Sequence, residues 1–343
     1  MRSLHFRQVA WLGVFLIACA GARGENTSSE PATKWYSECR ELYYKLPVQI
    51  SFYPSNPELA KQVWTYLEQM DDLFNDYKSG SEISRINAKE SAGEAVLSPW
   101  LAVAFGKARK AYELSNGAFD ISSAPIRNLW KQGASENRTP SDEEVAAAQQ
   151  LCGLHRVQLK GGRLITERSG MRFDFGGIIK GIIADHVIEM LKEGGVTSAL
   201  VQVSGETAAY GDSPRKRPFR IAIQHPQDRY GSWCVVSSPS SEFSGSTSGN
   251  YEMPVIINGE AFYHIFDVTT GRPAKTQVAS VSIVFPQTGR NWMADSLSTA
   301  GVLLGPEKTF DMVEKLGGEA LFLVWEGRAL REIKSNGWDR FRL

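Results

Sequence analysis

Asp295 and Thr299 stand four residues apart in Asn291–Leu304, a stretch with helical spacing, so both project from one face. A carboxylate and a hydroxyl are hard oxygen donors of the kind Mg2+ takes, with waters and substrate phosphates completing its shell. The same Asp-x-x-x-Thr pattern also occurs on ordinary helices, the aspartate in solvent and the threonine bonded to its own backbone. On either reading Asp295 is expected at the helix surface, where its loss would leave the fold intact. A second constellation is Arg172–Asp185, which opens extended, breaks at Gly176-Gly177 and resumes as an apolar helix with Lys180 near its start. Helix starts expose unpaired N–H groups with partial positive charge, and Lys180 adds a full one, a combination that suits phosphate. A buried strand–turn–helix with glycines for packing would read the same way. Lys180 is followed by Gly181 rather than Ser or Thr, so this is not a P-loop, and no Gly-x-Gly-x-x-Gly occurs. The third constellation is His264 with Asp267, beside the turn Thr269-Thr270-Gly271. A histidine titrates near neutral pH and can take the proton of a hydroxyl nucleophile, or can simply bond backbone across a hairpin.

Those residues need elements to hold them. Pro47–Tyr53 reads as a strand, and Pro57 opens a helix with apolar residues from Leu59 to Tyr77 at helical spacing. Ser98-Pro99 starts another helix that stops at Asn116-Gly117, directly before Ala118-Phe119-Asp120. By itself that tripeptide reads as a capping loop with Phe119 in the core. Ser141 to Glu144 is a capping box for a short alanine-rich helix, and Gly161-Gly162 joins a hairpin. Ala199–Val203 is a strand ending in Ser204-Gly205-Glu206, with further strands at Phe219–Gln224, Trp233–Ser237 and Phe243–Thr247. Thr247-Ser248-Gly249-Asn250-Tyr251 reads as a tight turn. Val255–Asn258 and Glu260–Phe266 form a hairpin over Asn258-Gly259 that delivers His264 and Asp267 to a strand end. Val278–Phe285, Leu321–Trp325 and Leu330–Ile333 complete the strands. Strands and helices mix without βαβ alternation, which predicts an α+β fold with antiparallel sheets flanked by helices.

The chain has 343 residues, with 38 basic and 38 acidic side chains. Zero net charge offers no basic face for nucleic acid, and there is no internal repeat. At the N-terminus Arg2 and Arg7 precede the apolar run Val9–Ala18, which is too short to span a bilayer. It ends in Leu16-Ile17-Ala18-Cys19, similar to a bacterial lipoprotein box in which Cys19 is lipidated. An ordinary signal peptide cut after Ala22 is the other reading. Residues 1–19 are thus expected as a signal peptide, 20–44 as a tether and 45–343 as the folded domain. Cys39, Cys152 and Cys234 form neither a disulfide framework nor a C-x-x-C site.

Taken in order, these blocks resemble the ApbE family, the FAD:protein FMN transferases. The matching residues are Tyr77 through Ser81–Asn87, Gly117–Asp120 with Leu129-Trp130, Asp174–Gly181 through Asp185, and Thr247–Glu252. His264–Asp267 with Thr270–Pro273, and Ala294–Ala300, complete the set. Two departures stand out: Lys45–Ser51 replaces the family's Met-Gly-Thr strand opening, and Ser204-Gly205-Glu206 replaces its Gly-Gly-Asp.

The resemblance implies an ApbE-like, T-fold-related architecture. It implies Mg2+-dependent transfer of FMN from FAD to a threonine of an exported acceptor flavoprotein, with release of AMP. It assigns the metal to Asp295, Thr299 and the Gly177 carbonyl, and the FAD to Tyr77, Ala118, Phe119, Asp120, Asp174, Lys180, His264 and Phe266. His264 becomes the candidate base, with Asp295 the other catalytic residue. With the lipoprotein box at Cys19, the protein is expected as a bacterial inner-membrane lipoprotein facing the periplasm, or on the outer face of the cytoplasmic membrane. Hydrolysis of FAD to FMN and AMP uses the same residues. A non-catalytic FAD-binding lipoprotein would need no base, and a structural or adhesion protein would leave the polar blocks unexplained.

Overall fold

Eight strands run antiparallel in one sheet, and their order across it is their order in the chain. They are Tyr36–Leu42 (β1), Leu46–Tyr53 (β2), Ser198–Val203 (β3), Glu206–Tyr210 (β4), Glu242–Gly249 (β5), Val278–Phe285 (β6), Glu319–Glu326 (β7) and Ala329–Lys334 (β8). The computed structural model describes residues 34–42, 46–89, 91–249 and 255–343. Both faces of this sheet are covered, so its central strands must be apolar on both sides, and every residue of β6 is buried. The period of two sorts the side chains. In β3, Ala199, Val201 and Val203 join the main core while Leu200 faces a second one; Phe322 and Leu321 divide in the same way in β7.

The main core lies under Pro57–Phe74 (α1), Ile179–Glu193 (α6) and Asn291–Leu304 (α7), with Pro306–Lys315 (α8) beside α7. Between α1 and α6 the chain adds Glu82–Asn87 (α2), Pro99–Leu114 (α3), Ala124–Ser135 (α4) and Asp142–Gln150 (α5). It also adds a small sheet of Gly93–Val96, Arg163–Thr166 and Val157–Lys160. The second core is roofed by the hairpin Ile221–His225 with Asp228–Val236 and by Trp338 and Phe341. The caps are local: Asn56 accepts from Leu59 N–H before Pro57, Ser98 from Leu101 N–H before Pro99, and Ser141 and Glu144 close a capping box. The α+β architecture with antiparallel strands is as the sequence predicts.

Three expectations are corrected. Thr247–Gly249 are not a turn but the end of β5, paired with Ser280–Ser282 of β6; Asn250 and Tyr251 lie outside the described residues. These small polar residues stay extended because Ser246 and Ser248 direct their hydroxyls to Ser298 and Thr299 of α7. The hairpin over Asn258-Gly259 is shorter than expected, Val255–Ile257 with Glu260–Phe262. Phe266–Asp267 then opens a separate ladder with Arg272–Pro273, so His264 lies in the bend between the two. Finally, Tyr36–Leu42 falls within the expected tether 20–44 but is edge strand β1 of the main sheet. It is held there by Trp64 Nε1 donating to the Tyr36 hydroxyl at 2.9 Å.

Candidate active site

The first turns of α6 and α7 lie against each other, and each helix supplies the other's cap. Asp185 of α6 accepts through Oδ1 from Asn291 N–H (3.0 Å) and the Asn291 side-chain amide (3.2 Å), and through Oδ2 from Trp292 N–H (3.1 Å). Asp295 of α7 accepts through Oδ2 from Gly181 N–H at 3.0 Å. Neither helix has a side-chain cap from its own N-cap residue, so these carboxylates answer otherwise unpaired N–H groups. The approach requires Gly181. A Cβ there would come within 2.7 Å of Trp292 Cα and closer to the Asn291 carbonyl. Burial, only partly offset by its donors, pushes the Asp185 carboxyl up to about 6.

Asp295 is 1% exposed, which overturns its expected place on the helix surface: the side chain is turned inward to cap α6. Its Oδ1 accepts from Lys180 Nζ at 3.2 Å, and the same ammonium lies 3.5 Å from Glu206 Oε1 and donates to the Gly176 carbonyl at 2.6 Å. Burial would strip the proton from Lys180, but Asp295 and Glu206 outweigh it and raise its pKa. Burial first, then the charge of Asp295, pushes the Glu206 carboxyl well above its ordinary range. Ser246 donates to Glu206 Oε1 at 3.2 Å, whereas Oε2 accepts no hydrogen bond among the described residues.

Thr299, one turn beyond Asp295, donates to the Asp295 carbonyl at 3.2 Å and meets the Ser248 hydroxyl at 3.1 Å. Gly177 lies directly over it. A Cβ on Gly177 would stand 3.1 Å from Thr299 Oγ1 and 3.2 Å from the Phe119 ring, so glycine is what lets the loop backbone reach the α7 hydroxyl. The predicted metal set Gly177, Asp295 and Thr299 is thus brought together, with Phe119 and Lys180 beside it. Among the described residues no group of three or more His, Cys, Asp or Glu could hold a metal; this set draws on a hydroxyl and a carbonyl instead.

Asp174 ties the same loop to its neighbours. Its Oδ1 accepts from Gly176 N–H at 2.8 Å and its Oδ2 from Arg127 at 2.6 Å, and Arg127 also pairs with Asp76. Burial would raise the Asp174 carboxyl, but the Arg127 guanidinium prevails and holds it below the usual range. Asn87 brackets the preceding residue, donating to the Phe173 carbonyl (2.8 Å) and accepting from Phe173 N–H (2.7 Å). Tyr77, next to Asp76, is 61% exposed, its ring 4.3 Å from Lys131 Nζ. An exposed aromatic beside this loop can stack on a flat ligand.

The remaining predicted residues are placed as follows. Ala118 is half-buried and Phe119 is buried, with Phe119 N–H donating to Ser115 Oγ at 2.9 Å. Asp120 is engaged structurally: Oδ1 takes Ser122 N–H and hydroxyl, and Oδ2 takes Leu154 N–H at 3.0 Å. His264 is exposed, and Asp267 Oδ1 accepts from the Thr269 N–H (2.8 Å) and hydroxyl (2.6 Å). The segment carrying His264 is seated on α4 and α5 by Phe262 and Phe266, which pack with Ile126, Trp130 and Ala148. Trp130 Nε1 fastens the following turn by donating to the Gly271 carbonyl at 3.0 Å. A cavity of about 270 Å3 lined by Lys89, Leu164, Arg168 and Phe173 opens elsewhere, and none of the residues above line it apart from that Phe173. Sequence reasoning missed Glu206, Arg127, Ser246 and Ser248 as site residues. The signals were Ser204-Gly205-Glu206, read as a departure rather than as a partner of Lys180, and Thr247–Glu252, whose Ser248 was read into a turn.

An antiparallel α+β fold with a buried ammonium–dicarboxylate cluster beneath a glycine loop is a framework for a phosphate-bearing substrate and a hard cation. The comparisons specify the class. The chain belongs to the ApbE family, whose profile matches residues 44–322. It is 28% identical over 285 residues to the FAD:protein FMN transferase of Vibrio cholerae serotype O1, covering 82% of this chain and 84% of that protein. It is 25% identical over 354 residues to the FAD:protein FMN transferase of Salmonella typhimurium, covering 99% and 98%. Among solved structures, the apo form of Pseudomonas stutzeri flavinyl transferase ApbE superposes with a TM-score of 0.77 at 29% identity, covering 91% of this chain and 97% of that one. The Thermotoga maritima ApbE protein shares the fold at a TM-score of 0.79.

Proposed function

We propose that this chain is a Mg2+-dependent FAD:protein FMN transferase acting on a threonine hydroxyl of an exported acceptor protein and releasing AMP. The observation that carries the reading is the meeting of Gly177, Thr299 and the Asp295–Lys180–Glu206 cluster at one helix start. A buried carboxylate, a hydroxyl and a carbonyl are all hard oxygen donors, a set that fits Mg2+. Asp295, Thr299 and the Gly177 carbonyl would hold the ion, which when bound supplies positive charge against the pyrophosphate. Lys180 and the loop N–H groups orient the phosphates, with Asp174 holding the loop in shape. Tyr77, Ala118, Phe119, His264 and Phe266 line the FAD, with Asp120 holding the Ala118–Phe119 loop in shape through Ser122 and Leu154. The acceptor Oγ forms a bond to the FMN phosphorus as the phosphoanhydride bond to AMP breaks, and His264 takes the hydroxyl proton.

The test is to incubate the purified protein with FAD, Mg2+ and a threonine-bearing acceptor, then measure AMP, free FMN and flavin fixed to protein. AMP with protein-bound flavin supports transfer. AMP with free FMN alone means hydrolysis, and FAD retained without AMP means storage. Export rests on the N-terminal segment, which, with Cys19, lies outside the described residues. We expect Cys19 to be lipidated and the domain to face the periplasm, so Cys19→Ala should leave the membrane fraction.

A further inference from the structure

We propose that Glu206 is a direct ligand of the divalent cation at this site, its Oε2 joining Asp295 and the Thr299 hydroxyl. The inference rests on the cation reading above and adds a residue to it. Glu206 is 2% exposed, yet Oε2 accepts nothing from any described residue. A buried oxygen left without a donor is costly, so the position calls for an occupant. Its other oxygen already faces a cation: Lys180 Nζ lies 3.5 Å from Glu206 Oε1 and 3.2 Å from Asp295 Oδ1, so both carboxylates converge on one positive point.

Charge decides between one carboxylate and two. Asp295 beside Lys180 is a neutral pair and offers a dication no net attraction. Adding an ionised Glu206 makes the cluster net negative, which a dication requires before it can displace water in a buried setting. The backbone holds Glu206 ready. Ser204-Gly205 is a two-residue turn with Ser204 in the left-handed region (φ 56°), so Glu206 is the first residue of β4, in register with Ser246 of β5. Neither residue can drift without breaking the central sheet.

The experiment titrates the purified full-length protein with Mn2+, with and without FAD, reading free Mn2+ by electron paramagnetic resonance and FAD binding by fluorescence. Glu206→Gln should weaken Mn2+ binding by about tenfold or more. Wild-type affinity in Glu206→Gln, alongside lost affinity in Asp295→Asn, overturns the role of Glu206 while leaving the cation reading intact. Absence of Mn2+ binding by the wild type overturns both. A second measurement needs no variant. Anomalous density in Mn2+-soaked wild-type crystals should lie about 2.1 Å from Glu206 Oε2. A cation that reaches Glu206 only through water, or not at all, overturns the proposal.

Discussion

Asp185 and Asp295 cap each other's helices: the carboxylate of each, from α6 and α7 respectively, accepts N–H groups at the start of the other. The exchange fixes the angle between the two helices that carry Lys180, Asp295 and Thr299. It also explains why the residue after Lys180 is glycine, since the α7 backbone occupies the place of a side chain.

Gly181→Ala sets two effects against each other. Alanine gains about 1 kcal/mol of helix propensity. The new methyl meets Asn291 and Trp292 backbone, which cannot rotate away, and overpacking of that kind costs about 3 kcal/mol or more. We expect a net loss of about 2 kcal/mol in urea unfolding, and an equal or higher midpoint would show that α6 and α7 are not packed this way.

Removing the Asp295 carboxylate disturbs the fold as well as the chemistry. Asp295→Ala leaves Gly181 N–H without its acceptor and takes from the buried Lys180 ammonium one of its two carboxylates, which should cost about 3 kcal/mol of stability. It should also abolish Mg2+-dependent AMP release in the proposed reaction. Thr299→Val should change stability by less than about 1 kcal/mol while raising the Mg2+ requirement, because a hydroxyl is a neutral, weaker ligand. Thermal melting and AMP release measured across Mg2+ concentrations separate the two; unchanged Mg2+ dependence in both variants removes these residues from the cation site.

The buried Asp185 predicts a pH effect with a definite sign. Its carboxyl is raised from 3.8 to about 6 by burial, so the folded state binds more protons than the unfolded state between those values. Its contribution to stability is therefore greatest at low pH and declines as pH rises from about 4 to about 6, by up to about 3 kcal/mol. The stability of wild type minus that of Asp185→Asn, followed by urea unfolding from pH 4 to 7, should fall across this window. A flat difference would mean that Asp185 titrates normally.

His264 separates binding from chemistry. It is exposed on a segment anchored by Phe262 and Phe266. His264→Ala should bind FAD nearly as wild type does while FMN transfer falls about a hundredfold or more, the scale of general-base catalysis. Fluorescence titration beside in-gel flavin transfer checks both. Lost binding would make His264 a ligand contact, and undiminished transfer would take it out of the mechanism.

Much of this molecule was legible where neighbours along the chain carry the physics. Asn56-Pro57, Ser98-Pro99 and the Ser141–Glu144 box announce their helices because each cap bonds within three residues. Val278–Phe285 reads as a strand because its apolar run is bounded by turn chemistry, and Gly176-Gly177 reads as a break before a helix. Asp295 and Thr299 share a face because helical period alone requires it. What the chain order could not tell was which way such residues turn. Asp295 looks like a surface carboxylate until Gly181, 114 residues away, presents an N–H to it. Thr247–Gly249 have the composition of a turn, yet they lie in β5 because α7 offers hydroxyl partners across the sheet. Glu206 gains its meaning only when the β3–β4 turn carries it to Lys180. A buried charge is set by partners that meet through space, and only the packing of α6, α7 and the sheet brings those partners within bonding distance.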